Sequence, residues 1–144
     1  MTIVVGLDRD GDAKSTLETA ARLAEKFDTG IEVVHVLERD EFMDLERTSV
    51  EETAKPVGMD EVRAVAAEIA TELVGDTLDE FEVTGLVGDP ASELVRLAGE
   101  RDAEYIVIGV RKRSAVGKAL FGSVAQDVLM DTDRPVVVVP KPDA

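Results

Sequence analysis

The sequence predicts an α/β domain, a doubly wound parallel sheet of five strands with helices on both faces. Three observations carry this. Short apolar runs alternate with longer stretches of helical spacing in the order β-α-β-α-β-α-β-α-β, which implies right-handed crossovers. Most of those runs are nearly continuous in β-branched residues, the pattern of strands covered on both faces. The core material is aliphatic, since 44% of residues are hydrophobic, 3% are aromatic and Trp is absent. At 144 residues the chain reads as a single domain, 1–144.

The first strand is Ile3 to Leu7, ending at Asp8. A helix follows over Ala13 to Phe27, because Leu17, Ala20, Ala21, Leu23, Ala24 and Phe27 fall on one face with charges opposite. Ile31 to Leu37 is the second strand. Glu38 to Met59 breaks the alternation with mixed charge, Pro56 and Gly58, and is expected to be a surface loop with room for one helical turn. Asp60 to Leu73 is the next helix, with Val62, Val65, Ala66, Ile69, Ala70 and Leu73 as its apolar face.

The third strand, Phe81 to Val87, is closer to alternating. Asp89-Pro90 then announces a helix, with Asp at the cap, Pro at the first helical position, and Leu94, Val95, Leu97 and Ala98 on one face. Tyr105 to Ile108 is the fourth strand. A helix from about Ser123 to Met130 is expected to turn Val124, Val128 and Leu129 inward, before the closing strand Val136 to Val139. In such sheets ligands sit at the carboxyl ends of the strands where the winding reverses. The search therefore narrows to Leu7 to Asp10, Val36 to Glu38, Val87 to Pro90 and Gly109 onward.

Thirty-one acidic side chains against sixteen basic ones leave a net charge of −15. That excess disfavours nucleic acid and anionic membranes as partners. It also predicts a salt-requiring fold from a halophilic cytoplasm, because self-repulsion is relieved by screening. Without cysteine there is no disulfide or thiolate metal site. The opening MTIVVGLDRD is too short an apolar run for a signal peptide or a membrane span, so a cytoplasmic location is expected.

The constellation that carries chemistry follows the fourth strand. Gly109 to Ser123 holds three glycines, two serines and the cations Arg111, Lys112, Arg113 and Lys118, with no carboxylate among them. Glycines admit an anion close to the backbone, the amides at Ser123 and Val124 open a helix whose positive end favours phosphate, and the cations add charge-assisted contacts. It is not a Walker A loop, since Lys112 and Ala119 stand where Gly and Ser or Thr would be needed. Gly6 to Gly11 likewise lacks the dinucleotide spacing.

Gly109-x2-Lys112-x9-Gly122-Ser123 resembles the G-x2-G-x9-G-[S/T] nucleotide motif of the universal stress protein family. Val4 to Asp8, Val34-His35-Val36, Gly88-Asp89-Pro90 and Arg134 to Val139 resemble, in order, the family's opening strand, second strand, G-D-P turn and closing strand. The resemblance spans nearly the whole chain and implies a Rossmann-like, adenine nucleotide alpha hydrolase-like three-layer sandwich. It also implies a stress or signalling protein that binds ATP or a related adenine nucleotide, with or without Mg²⁺. The residues it carries over are Gly6, Leu7, Asp8, Val36, Ile108, Gly109, Arg111, Lys112, Gly122, Ser123 and Val124.

Two positions depart from the pattern: Lys112 replaces the middle glycine, and Asp8-Arg9-Asp10 replaces the common D-x-S. A side chain at 112 would obstruct a left-handed backbone there, whereas its ammonium would pair with a phosphate. The alternative function is accordingly a dimeric scaffold that has lost the nucleotide. Asp8 is read as a ligand contact, with a helix cap as the alternative. His35, the only histidine, lies within a strand and is read as a packed core residue rather than a base or metal ligand. No catalytic set or metal cluster emerges, so the expectation is a binding protein and not an efficient enzyme, with slow ATP hydrolysis left open. Pairing of Val136 to Val139 with a second copy would cover an exposed sheet edge, which predicts a homodimer.

Overall fold

The computed structural model describes residues 2–9, 12–44, 47, 58–110 and 122–140. In chain order these form β1 (Thr2–Gly6), α1 (Ala13–Phe27), β2 (Gly30–Leu37), α2 (Met59–Val74), β3 (Glu82–Val87), α3 (Pro90–Glu100), β4 (Tyr105–Val110), α4 (Ser123–Asp131) and β5 (Val136–Pro140). All nine expected elements are present, and α1 has the bounds its apolar face predicts. Residues 39–44 are helical as well, where one turn had room to form.

The strands make one sheet in the order β3-β2-β1-β4-β5, every pairing parallel. Winding reverses between β1 and β4, so the gap beyond their carboxyl ends is the switch point at which ligands settle in open α/β sheets. The sheet is buried on both faces. Against one, Val4, Val34, Val36, Ile106 and Ile108 pack with Leu94 and Leu97 of α3 and Ala125 and Val128 of α4. Against the other, Ile3, Val5, Ile31, Val33 and Val107 pack with Leu17 and Ala20 of α1 and Ala70 and Val74 of α2. Three layers result.

Gly85 explains why α2 lies so close to the sheet. A β-carbon there would collide with the Arg63 carbonyl oxygen and the Ala67 amide nitrogen, both backbone atoms of α2 that no rotamer change can move. On the neighbouring strand, Glu32 is buried in mid-β2, accepting from Arg101 Nε at 2.8 Å and Thr84 Oγ1 at 2.6 Å. The hydrogen bond from Arg101 to Glu32 holds the guanidinium above its ordinary pKa. A buried carboxylate needs such partners.

Two inward assignments on the last helix are corrected. Ala125 and Val128 are buried, while Val124 and Leu129 are substantially exposed. A helix of nine residues presents only the i, i+3 pair to the sheet, and its flanking positions fall outside that narrow contact. Phe27, placed on the apolar face of α1, is about half exposed and rests against Tyr105 with ring centroids 5.5 Å apart.

Candidate functional site

The strand-to-helix turns build the site. After β1 the chain leaves the sheet at Leu7, whose amide still donates to the Val34 carbonyl at 2.9 Å, so Leu7 and Asp8 are delivered to the rim between β1 and β2. The next helix is capped by Asp12, whose carboxylate accepts from the Ser15 amide at 3.2 Å and the Ser15 hydroxyl at 2.8 Å. Asp12 thus fills the capping role open to Asp8, and Asp8 stands at the cavity instead. On α3, Asp89 caps by accepting from the Ser92 amide at 3.0 Å, with Pro90 in the first turn. The bond from that amide holds the Asp89 carboxyl below the usual carboxylate value.

At the switch point lies a cavity of about 620 Å³. Gly6, Leu7 and Asp8 line it from β1, Val34 to Val36 from β2, Ile108 to Val110 from β4, and Gly122 to Ala125 from the start of α4. Of the eleven residues carried over from the family motif, Gly6, Leu7, Asp8, Val36, Ile108, Gly109, Gly122, Ser123 and Val124 therefore share one cavity. Arg111 and Lys112, with Arg113 and Lys118, lie outside the described residues.

Among the described residues, no side chain caps the N-terminus of α4, whose cap position is Gly122. Gly122 is extended at φ −62° and ψ 160°, and Ser123 and Val124, which open α4, line the cavity beside it. Uncapped first-turn amides and the positive end of a helix suit a phosphate or another anion. Elsewhere the described wall carries the apolar side chains of Val36, Leu94 and Ile108, the carboxylates of Asp8, Asp12, Glu38 and Glu41, and the neutral polar groups of Ser15, Thr16 and His35. Among the described residues no group of three or more His, Cys, Asp or Glu is gathered to hold a metal.

Gly109 has a packing duty besides any ligand duty. A β-carbon on it would sit 2.6 Å from Thr16 Oγ1, which is itself fixed by a 3.0 Å hydrogen bond to the Asp12 carbonyl. The amino end of α1 thus seals the cavity floor against β4.

Asp12, Ser15 and Thr16 on the α1 cap and Glu41 beyond β2 also line the cavity without having been expected there, Leu94 of α3 was expected only as a core residue, and Glu38 and Pro90 lie in strand-end segments where a site was expected. Only the α1 cap carried a legible signal, as an Asp three residues before Ser15. His35 is buried as expected, yet it also lines the cavity and has polar contacts. Its Nδ1–H donates to the Leu7 carbonyl oxygen at 2.9 Å, and its Nε2 lies 4.0 Å from Glu41 Oε2, which in turn is 3.5 Å from Arg9.

Residues 1–140 match the model of the Universal stress protein family. A universal stress protein of Mycolicibacterium smegmatis is 34% identical over 138 residues, covering 95% of each chain. The structure of a universal stress protein from Archaeoglobus fulgidus superimposes with a TM-score of 0.68 at 32% identity, covering 96% of this chain and 98% of that one. A universal stress protein of the same organism, solved in complex with dAMP, gives 0.65 at 28% identity, covering 96% and 97%. By sequence and by fold, this chain belongs to the universal stress protein family.

Proposed function

We propose that this protein binds an adenine nucleotide, ATP foremost, in the switch-point cavity and serves in the cytoplasm as a stress-response or signalling protein without dedicated catalysis. The observation that carries the reading is the convergence of the Gly6–Asp8 turn, Val36, Ile108–Gly109 and the uncapped start of α4 on a single cavity. In this reading the base lies between Leu7, Val36 and Ile108. Asp8 takes the base or ribose, and the phosphates meet the amides of Ser123 and Val124, with Arg111 and Lys112 as their cationic partners and Mg²⁺ as an accompanying ion. The dAMP complex of the Archaeoglobus relative supports the choice of an adenine nucleotide.

Isothermal titration in KCl, with and without Mg²⁺, tests it. Saturable ATP binding in the micromolar range, about −8 kcal/mol at a Kd of 1 μM, is expected. Absence of heat up to millimolar ATP contradicts it and favours the scaffold reading, for which Lys112 in the motif's glycine position is the specific observation.

We further propose a homodimer through Val136 to Val139. β5 closes the sheet at one edge, is only partly buried, and lies near α4, whose Leu129 and Met130 are exposed. An apolar edge strand is stabilised by pairing with its symmetry mate. Light scattering in KCl would show twice the chain mass, and a monomer would contradict the assignment.

A further inference from the structure

We propose that His35 is a positioning residue of the cavity, one whose contact with Glu41 makes the seating of the Leu7–Asp8 main chain depend on acidity. A carbonyl oxygen only accepts, so the 2.9 Å bond to Leu7 fixes the proton on His35 Nδ1. In the neutral ring Nε2 is then a bare acceptor. It faces Glu41 Oε2 at 4.0 Å, and both atoms are fully buried without a hydrogen-bond partner among the described residues. Two acceptors confronting each other out of water are an unfavourable pair.

A proton on Nε2 converts the pair to imidazolium and carboxylate. Two consequences follow. The Nδ1–H becomes a charge-assisted donor and grips the Leu7 carbonyl more firmly, at the turn that carries Asp8 into the cavity. Glu41 is drawn toward β2 from its partner Arg9, and with it the helical residues 39–44, whose Phe42 packs against the cluster of Leu37, Val62, Ala66 and Ile69. Among the described residues, the charged groups near the ring are Glu41 directly, Arg9 through Glu41, and Asp8, Asp12 and Glu38 along the same cavity wall. From α2, whose backbone abuts Gly85 beside His35, Arg63 is turned to the surface and paired with Asp60.

The effect on ligand rests on the nucleotide reading; the effect on the Leu7–Asp8 turn does not. Because His35 is the only histidine, long-range ¹H–¹⁵N spectra of the apo protein report its ring without ambiguity. Across a pH titration, the neutral ring is expected as the Nδ1–H tautomer, with the amide signals of Leu7, Asp8 and Phe42 following the ring's curve. Glu41→Gln removes the Phe42 response and keeps that of Leu7. An Nε2–H tautomer, or Leu7 and Phe42 amides that stay still while the ring titrates, overturns the proposal.

Calorimetry adds the ligand arm. The ratio of ATP affinities at acid and neutral pH should be roughly fivefold larger in the wild type than in Glu41→Gln, the ligand's own protonation being common to both. Equal ratios overturn the coupling to ligand. Absence of ATP binding at every pH contradicts the nucleotide reading instead, and the ring spectra then decide the proposal alone.

Discussion

Thr16 Oγ1 stands 2.6 Å from the point that a β-carbon on Gly109 would occupy. The first glycine of the nucleotide motif is thus required by the packing of α1 on β4, whatever else it does for a ligand. Gly109→Ala is expected to cost about 1–2 kcal/mol in chemical denaturation, because Thr16 must give up its bond to the Asp12 carbonyl or β4 must shift. Thr16→Ala in the same chain removes the obstructing oxygen and should recover most of that loss, a coupling that a double-mutant cycle measures directly. If ATP affinity recovers along with stability, Gly109 acts on the ligand through packing.

Gly85→Ala should be far worse. Its β-carbon meets backbone atoms of α2, so the helix must move off β3, and a loss of roughly 3 kcal/mol or failure to fold is expected. Circular dichroism melts compare it with Gly30→Ala, where a β-carbon meets open space. Similar melts for the two variants would contradict the packing described.

Asp89 predicts a pH dependence. Its folded-state pKa is lowered by the Ser92 amide, so its capping contribution is fully present above the ordinary carboxylate value and is lost as pH falls through the lowered one. Asp89→Ala should cost about 1 kcal/mol at neutral pH and less in acid, while Asp89→Asn keeps the cap and loses that pH dependence. Urea melts at several pH values read the difference, and an equal loss in acid would count against it.

The net charge of −15 predicts a fold that salt supports. Thermal midpoints should rise by roughly 5 °C or more between dilute buffer and molar KCl, as screening relieves about 1–2 kcal/mol of repulsion. A midpoint indifferent to KCl would show that the acidic surface is tolerated without screening.

Much of this fold was legible because periodicity and burial coincide. The stretch from Ala13 to Phe27 gave α1 at its observed bounds, and the β-branched runs gave the doubly covered strands. Legibility failed where a position depends on distant geometry. Residues 39–44 hide a helical segment among charges, with Phe42 as its apolar anchor, and no spacing rule announces that Glu41 turns back toward His35. Val124 and Leu129 looked like core residues by apolarity, but the short α4 leaves them at its flanks. The motif residues meet at one cavity because they stand at carboxyl ends of strands, which alternation does predict, while the order β3-β2-β1-β4-β5 that puts those ends side by side is visible only in the fold.

In the proposed complex, one cavity holds the base at Leu7, Val36 and Ile108 and the phosphates at the start of α4. A crystal structure grown with saturating ATP in KCl tests it most directly. Phosphate oxygens are expected within hydrogen-bond distance, about 2.7–3.2 Å, of the Ser123 and Val124 amides, with the adenine against Val36. A nucleotide bound elsewhere, or a cavity that stays empty while ATP is in excess, would contradict it.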